Sequence, residues 1–351
     1  MIDYAPQDFQ YPTTRYSGSK RHFLEWIWEH VKNLRFRSVL DVFGGTGSVS
    51  LLFKRYGKQV FYNDLLRFNQ IIGTAIIENN TARVTPDDVT TVLHAPLNGY
   101  PDFIQREFKG IYFLDEENAW LDKIIASISR VENKYKQAIL MSSLFQACLA
   151  KRPFNLFHRA NLNIRTASVR RTFGNKTTWE RPFPELFKKY VIEYNKAIFP
   201  NGQENKVVGG YDAFFAPNSV DLVYLDPPYF SVSTSQGTNY LAFYHFLEGL
   251  ADYENWPTRI DSSNWKTKRI RDTREIGHFI KKDEVFNSFN KLLERFQHSI
   301  IVLSYQGDGI PSHGEIVSLL RNYKENIEVF SKPHRYVLSS HTKEELLFVA
   351  T

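Results

Sequence analysis

The sequence predicts an α/β protein: a mostly parallel sheet with helices on both faces, interrupted by a long, mainly helical insertion. Three observations carry this expectation: a strand–glycine loop–helix unit around residue 40, a helix-rich stretch from 81 to 199, and apolar strands resuming after 200. Residues 38–43 are a short apolar run between charge and glycine, as a buried parallel strand requires. Gly44-Gly45-Thr46-Gly47 follows. Val49, Leu52, Phe53 and Tyr56 then recur at helical spacing up to Gly57, which suits a helix C-cap. Residues 59–62 read as a second strand ending in Asn63-Asp64, and a helix over about 65–78 completes a βαβα unit. Its right-handed crossover puts both strand ends on one rim of the sheet.

Beyond residue 81 the pattern changes. Thr85-Pro86-Asp87-Asp88 combines a capping hydroxyl, a proline at the first helical position and acids in the first turn, so a helix starts there. Further helices are expected at about 115–130, 132–150 and 184–198. Strands return at 207–214 and 220–225, followed by a helix near 283–296, a strand at 299–305 and a closing hairpin of 327–331 with 346–351. The expected division is one sheet domain, residues 1–80 and 200–351, with 81–199 inserted into it. Tyr240, Phe243, Tyr244 and Leu247 share one helical stripe, which reads as core before it reads as a ligand platform.

Composition narrows the function classes. At 351 residues, 42% hydrophobic and 23% charged, the chain can bury a sizeable core and is too apolar to be disordered. Its one cysteine, Cys148, excludes an intramolecular disulfide and a cysteine zinc cluster. The histidines show no ligand spacing, so no metal is expected. The sequence has no run of 18 apolar residues and no basic-then-apolar start, so a cytoplasmic setting without a membrane is expected. The net charge of +6 is unevenly placed: residues 151–189 hold ten Lys/Arg against two acids, and 259–274 hold six against two. Such concentration suits a polyanion partner.

The sharpest chemical signal is Asp226-Pro227-Pro228-Tyr229, directly after the apolar run ending at Leu225. Chance would produce this tetrapeptide in a chain of this length with odds of roughly 0.2%. It falls where α/β sheets do their chemistry, outside the carboxyl end of a strand. The prolines fix the backbone, holding Asp226 and the Pro227 carbonyl side by side. Two such acceptors suit an exocyclic amine: accepting both N–H groups draws the nitrogen toward sp³ geometry and concentrates its lone pair for attack. Tyr229 offers a face on which a planar base can stack. Upstream, Gly45 and Gly47 let the backbone approach a ligand, and Asp64 lies 19 residues past Gly45, the spacing of an acid that reaches ribose hydroxyls. Two glycines alone would serve a tight turn equally well. Ser50 stands where a dinucleotide fingerprint has its third glycine, which favours a nucleoside cofactor without a phosphate chain. Asp41 suits a cationic amino-acid head.

Together these segments resemble the S-adenosylmethionine-dependent DNA adenine-N6 methyltransferases, the Dam-like D12 class with the alpha motif order, cofactor motif first and DPPY late. Thr14-Arg15-Tyr16-Ser17-Gly18-Ser19-Lys20 looks like their N-terminal motif, which implies Tyr16, Gly18 and Lys20 at the cofactor. Asp41-Val42-Phe43-Gly44-Gly45-Thr46-Gly47-Ser48 is similar to their acid-x-Phe-x-Gly-x-Gly-Ser motif, implying Asp41, Phe43, Gly45, Gly47 and Ser48 there too. Asp64 matches the ribose acid, and Tyr211-Asp212-Ala213 resembles the segment beside the cofactor's adenine, which adds Asp212 and Ala213. Phe154-Asn155-Leu156-Phe157-His158-Arg159-Ala160-Asn161 resembles a segment that enters the DNA major groove, and Glu344-Glu345-Leu346-Leu347 the family's closing strand. Leu156 stands where a glycine is usual, and 164–176 is more basic than the family's pattern; both departures bear on target sequence.

The resemblance implies a Rossmann-like methyltransferase fold, a seven-stranded sheet with an antiparallel C-terminal strand, the insertion serving as a target-recognition subdomain. It implies transfer of a methyl group from S-adenosylmethionine to N6 of a flipped adenine in double-stranded DNA, by direct in-line attack. Asp226, Pro227, Pro228 and Tyr229 would carry the reaction, with Asp226 also beside the cofactor. Asn155 and Arg159 are typed for base edges, while Asn161, Arg165, Arg170, Arg171 and Lys176 would extend the DNA contact. A separately encoded restriction endonuclease is an implied companion. Rival expectations are cytosine N4, whose amine fits the same acceptors although Ser is then more usual than Asp226, and a non-catalytic DNA-binding protein that keeps the fold. A nicotinamide oxidoreductase is disfavoured by Ser50, and cytosine C5 chemistry by the mid-helix setting of Cys148, the only thiol.

Overall fold

The computed structural model describes residues 2–96, 99–168, 176–231, 236–271, 276–335 and 342–351. Seven strands form one sheet: β1 (Ser38–Asp41), β2 (Gln59–Asn63), β3 (Lys206–Gly209), β4 (Leu222–Leu225), β5 (Ile300–Gln306), β6 (Ile327–Arg335) and β7 (Thr342–Ala350). Their spatial order is β3-β2-β1-β4-β5-β7-β6; β7 is antiparallel to both neighbours and every other pairing is parallel. Connections leave β1 toward β2 on one side and β4 toward β5 on the other. The crevice between the carboxyl ends of β1 and β4 is therefore the switch point at which such sheets bind ligands.

Alternation along the strands divides two cores. Val39, Tyr224, Val302 and Leu347 face one, while Leu40, Val223, Leu303 and Phe348 face the other. Helices Val285–Arg295 and His313–Arg321 cover the second face. The first is covered by Leu24–Val31, Ser48–Arg55, Arg67–Gly73 and the long Lys134–Lys151, buried from Ala138 onward. That helix packs on Arg67–Gly73, Phe183–Lys196 and Tyr240–Ala251, so the insertion shares the core of the sheet. Residues beyond 240 join the same layer: Trp256 packs on Phe103, Phe108 and Phe246.

Several expected boundaries shift. The expected strand at 207–214 ends at Gly209, where φ is 120°; the next residues turn, with Asp212 Oδ1 accepting from Phe214 N at 3.0 Å. The helix expected over 65–78 opens into a π-turn at Thr74–Glu78, and Lys54 Nζ donates to the carbonyls of Ile76, Ile77 and Asn79 there. The closing hairpin is longer than the sequence suggests, pairing 327–335 with 342–350.

Candidate active site

The loop after β1 is shaped by its neighbours as well as by any ligand. Gly45 (φ 51°) and Gly47 (φ 70°) take left-handed backbone. Gly44 is glycine for a different reason: a Cβ there would lie 2.1 Å from the ring of Tyr62, whose hydroxyl sits 2.7 Å from Gly45 O. At the end of β2, Asp64 accepts from Gly45 N and Leu66 N, both at 2.8 Å. Asn63 donates to Val42 O and Tyr211 O at 3.0 Å each and accepts from Tyr211 N, drawing β1, β2 and the 211 turn around one space.

That space is a cleft open to solvent. Tyr16, Gly18, Lys20, Asp41, Phe43, Gly45 and Ser48 line it, as do Asp64, Asp212, Ala213, Asp226 and Pro228. Gly47, Pro227 and Tyr229 stand just outside the lining. On its floor, Asp41 Oδ2 accepts from Ser50 Oγ at 2.7 Å, which explains a serine at the third glycine position, while Oδ1 is buried with no hydrogen-bond partner. Burial lifts the Asp41 carboxyl to about 7; the Ser50 bond opposes this, and the charges of Asp226 and Asp64 add to it. A cation placed on Oδ1 would reverse that shift and satisfy the orphaned acceptor.

Residues 16–20 are laid against helix Tyr240–Ala251. The Tyr16 ring stacks on Tyr244 at 4.5 Å, the Tyr244 hydroxyl accepts from Ser17 N at 2.7 Å, and a Cβ on Gly18 would meet the Tyr240 hydroxyl at 2.5 Å. This strap delivers Lys20 into the sheet. Lys20, 5% exposed, has its Nζ 2.7 Å from Glu345 and 3.2 Å from Asp226 Oδ1, and donates to the Tyr229 hydroxyl at 2.6 Å. Tyr229 in turn donates to Asp226 Oδ1, and Ser304 Oγ donates to Glu345 at 2.8 Å. Asp226 Oδ2 makes no hydrogen bond among the described residues, so one oxygen is anchored and the other is left for a donor in the cleft. Burial lifts the Asp226 carboxyl to about 6; Lys20 opposes the shift and Glu345 adds to it. The Tyr229 ring, expected to stack a base, is not part of the cleft lining and packs edge-on to Tyr305 at 5.2 Å. The sequence reading did not put Glu345 or Tyr240 at the site. An acid in register with Leu347 and Val349 on the buried face of a closing strand is the signal that identifies Glu345.

On the insertion, the loop over 153–161 wraps a buried guanidinium. Arg152 is 0% exposed, donates to the carbonyls of Leu156, Arg159 and Ala160, and lies 4.5 Å from the centre of the Tyr112 ring. Phe154, Asn155 and Asn161 take positive φ (63°, 58° and 55°), a strained backbone that the Arg152 bonds hold in place. Arg159 is exposed at this loop. Asn155 is half-buried and accepts from Arg15 at 3.3 Å, and Asn161 is half-buried. Lys176 is exposed, 3.4 Å from Glu180. Arg170 and Arg171 lie outside the described residues. Arg165 corrects an expectation: its side chain is 7% exposed, and its guanidinium grips Glu117 through two nitrogens at 2.8 and 2.9 Å, with Lys151 2.6 Å from the same carboxylate. Lys151, Arg152 and Arg165 thus belong to the interior, and the basic surplus overstates the exposed charge. Arg165→Ala is expected to destabilise the fold by about 3 kcal/mol, because it strips a buried carboxylate of its main partner. The salt dependence of DNA affinity should stay unchanged; thermal melting and a salt titration read the two effects separately.

A central switch-point crevice with acids at the ends of β1, β2 and β4 facing one space defines the class, a Rossmann-like methyltransferase fold. The chain belongs to the D12 class N6 adenine-specific DNA methyltransferases, whose family model matches residues 16–296. It is similar to Type II methyltransferase M2.HphI of Haemophilus parahaemolyticus, 29% identical over 97% of this chain and 98% of that protein. Type II methyltransferase M.NlaIII of Neisseria lactamica is 24% identical over 88% of each chain. Against Type II methyltransferase M.FokI of Planomicrobium okeanokoites the identity is 25% over 94% of this chain, which spans half of that protein. The chain is a site-specific adenine-N6 DNA methyltransferase, and its family implies S-adenosylmethionine as the donor. Among the described residues no helix is long and apolar enough to cross a membrane.

Proposed function

We propose that Asp226 Oδ2 and the Pro227 carbonyl hold the N6 amine of an adenine flipped from double-stranded DNA, with the cofactor in the cleft of Asp41, Gly45 and Asp64. One observation carries this: Asp226, whose Lys20 and Tyr229 contacts both fall on Oδ1, lines the same cleft as Asp41, a buried carboxylate whose Oδ1 has no hydrogen-bond partner. That pair fits a ligand with an ammonium at one end and a transferable methyl near Asp226. When bound, the cofactor supplies the electrophilic methyl carbon. Asp41 takes the ammonium and Asp64 the ribose hydroxyls. The Tyr211 turn, with Asp212 and Ala213, walls the adenine of the cofactor, and Tyr16, Gly18, Phe43, Gly47 and Ser48 shape the remainder.

Lys20 and Tyr229 anchor Oδ1, leaving Oδ2 to the substrate, so the acceptor geometry exists before the base arrives. As the N–C bond forms and the methyl–sulfur bond breaks, its electron pair leaving on the sulfur, the amine nitrogen gains positive charge beside a carboxylate and then loses one proton to Asp226 or water. The product amine is neutral and no covalent enzyme intermediate forms. Pro228, on the cleft wall, completes the seat of the base, and Tyr229 serves it by holding Asp226. No metal takes part.

Residues 81–199 act as the target-recognition subdomain of a catalytic domain formed by 1–80 and 200–351. Asn155 and Arg159 read base edges, Asn161 supports their loop, and Lys176 with Arg170 and Arg171 holds phosphates, offsetting the cost of unstacking the target. The relatives are Type II methyltransferases, and we assign this chain to the same restriction-modification role, in the cytoplasm, beside a separately encoded endonuclease. Arg159→Ala should relax target choice by about 1–3 kcal/mol, whereas Lys176→Ala should weaken all DNA alike and lower the salt slope by about 0.9. Binding to a pool of duplexes at several salt concentrations checks both. Incubation with duplex DNA and radiolabelled cofactor tests the function itself: label on adenine supports it, and label on cytosine alone contradicts it.

A further inference from the structure

The helical layer carries a second basic element beside the 153–161 loop. Residues 260–271 form an arm closed at its base by a bridge between Ile260 and Ile270 and by Arg271 N donating to Arg259 O at 2.7 Å. Inside the arm, Asp261 accepts from Ser263 N and from Arg269 Nε at 3.0 Å each, and Asn264 accepts from Thr267 N and Oγ1 at 3.1 and 2.7 Å. These bonds give the tip a defined shape. On that tip Trp265 is 70% exposed, and Lys266 Nζ lies 5.5 Å from the centre of its ring. The indole, held in water on an ordered turn beside exposed cations, presents a flat apolar face next to positive charge, the pairing that nucleic-acid contacts use.

The position of the arm is set by one hydroxyl. Tyr112 Oη lies 2.6 Å from Phe157 O and 2.8 Å from Thr267 O, with His245 Nε2 2.9 Å away. The backbone two residues after Trp265 and the backbone two residues after Asn155 therefore meet at the same buried group, and the arm stands next to the loop assigned to base reading. Its charge has the matching sign. Arg269 and Lys268 are partly offset by Asp261 and Glu107 at 3.0 and 3.4 Å. Lys266 and Arg271 are exposed and form no ion pair within the described residues.

We propose that the 260–271 arm is a second contact with double-stranded DNA, flanking the target base, with Lys266 and Arg271 on phosphates and the Trp265 indole against the groove edge. The inference rests on the 153–161 loop facing DNA and extends that footprint to a part of the chain after the DPPY segment. Cation and indole contribute differently, which makes the arm testable. The experiment is fluorescence anisotropy of a random-sequence duplex of about 40 base pairs, titrated with full-length protein plus S-adenosylhomocysteine across a range of salt. Lys266→Ala with Arg271→Ala should lower the slope of log affinity against log salt by about 1.8, as two phosphate contacts predict. Trp265→Ala should weaken binding by about fivefold or more and leave the slope unchanged. All three side chains are exposed, so melting temperature and S-adenosylhomocysteine affinity should match the wild type. If the wild type methylates DNA while both variants bind with wild-type affinity and slope, the arm is overturned and the active-site assignment stands. A wild-type protein that binds no duplex overturns both.

Discussion

Asp226→Ala is expected to lower the rate of methyl transfer by about 100- to 1,000-fold or more, the cost of deleting a preorganised group that acts on developing charge. KM for DNA and affinity for S-adenosylhomocysteine should change far less, because the carboxylate works mainly as the amine nitrogen becomes tetrahedral and positive. Steady-state kinetics with a cofactor titration separates the two. Asp226→Asn, which keeps one acceptor oxygen without the charge, should retain more activity than the alanine variant. The pH profile supplies an independent readout. Burial holds the Asp226 carboxyl at about 6, so the acceptor is charged above that value and protonated below it. The transfer rate of the wild type should therefore rise with pH through about 6, and the asparagine variant should lose that limb. A wild-type limb that survives unchanged in the asparagine variant would assign it to another group.

The second large effect is at Lys20. Its ammonium lies between Glu345 and Asp226, both largely buried, at 2.7 and 3.2 Å. Lys20→Met leaves two carboxylates facing each other without a counter-charge, and the expected loss of stability is about 3–5 kcal/mol. Asp226 titrates higher in the folded chain than in the unfolded one, so the native state takes up its proton first. Without Lys20 that carboxyl titrates higher still, so the deficit should grow as pH rises above about 6 and change little below it. Activity should fall as well, since Oδ1 of Asp226 loses an anchor and its carboxyl shifts further up. Glu345→Gln is the milder companion. It removes one of the charges raising Asp226, keeps an acceptor for Ser304, and should move the acid limb of the rate profile to lower pH. Chemical denaturation at two pH values, together with that profile, distinguishes a positioning role from a merely structural one.

Local chemistry made much of this site legible. The glycine bend, the acid 19 residues beyond it and the proline-locked tetrapeptide are all short-range patterns, and each sits at a strand end because turn residues punctuate apolar runs. What depended on distant partners was not readable. That Gly44 makes room for Tyr62, or that Lys20 meets Glu345, follows from strand register and from contacts hundreds of residues apart. A count of basic residues cannot separate an arginine on the surface from Arg165, whose partner Glu117 lies 48 positions upstream. Helix His313–Arg321 carried a readable start, Ser312 with Glu315 forming a reciprocal cap, yet its short apolar stripe did not stand out between two strands. The Tyr240 stripe took both of the roles weighed for it: Tyr244 and Leu247 are core, and Tyr240 borders the cleft.

The most direct measurement is nucleoside analysis by mass spectrometry of duplex DNA exposed to the wild-type protein, or to Asp226→Ala, with S-adenosylmethionine. N6-methyladenine from the wild type and almost none from the variant is the predicted outcome. N4-methylcytosine in its place, or equal N6-methyladenine from both proteins, would contradict an acceptor pair at Asp226 gripping the adenine amine.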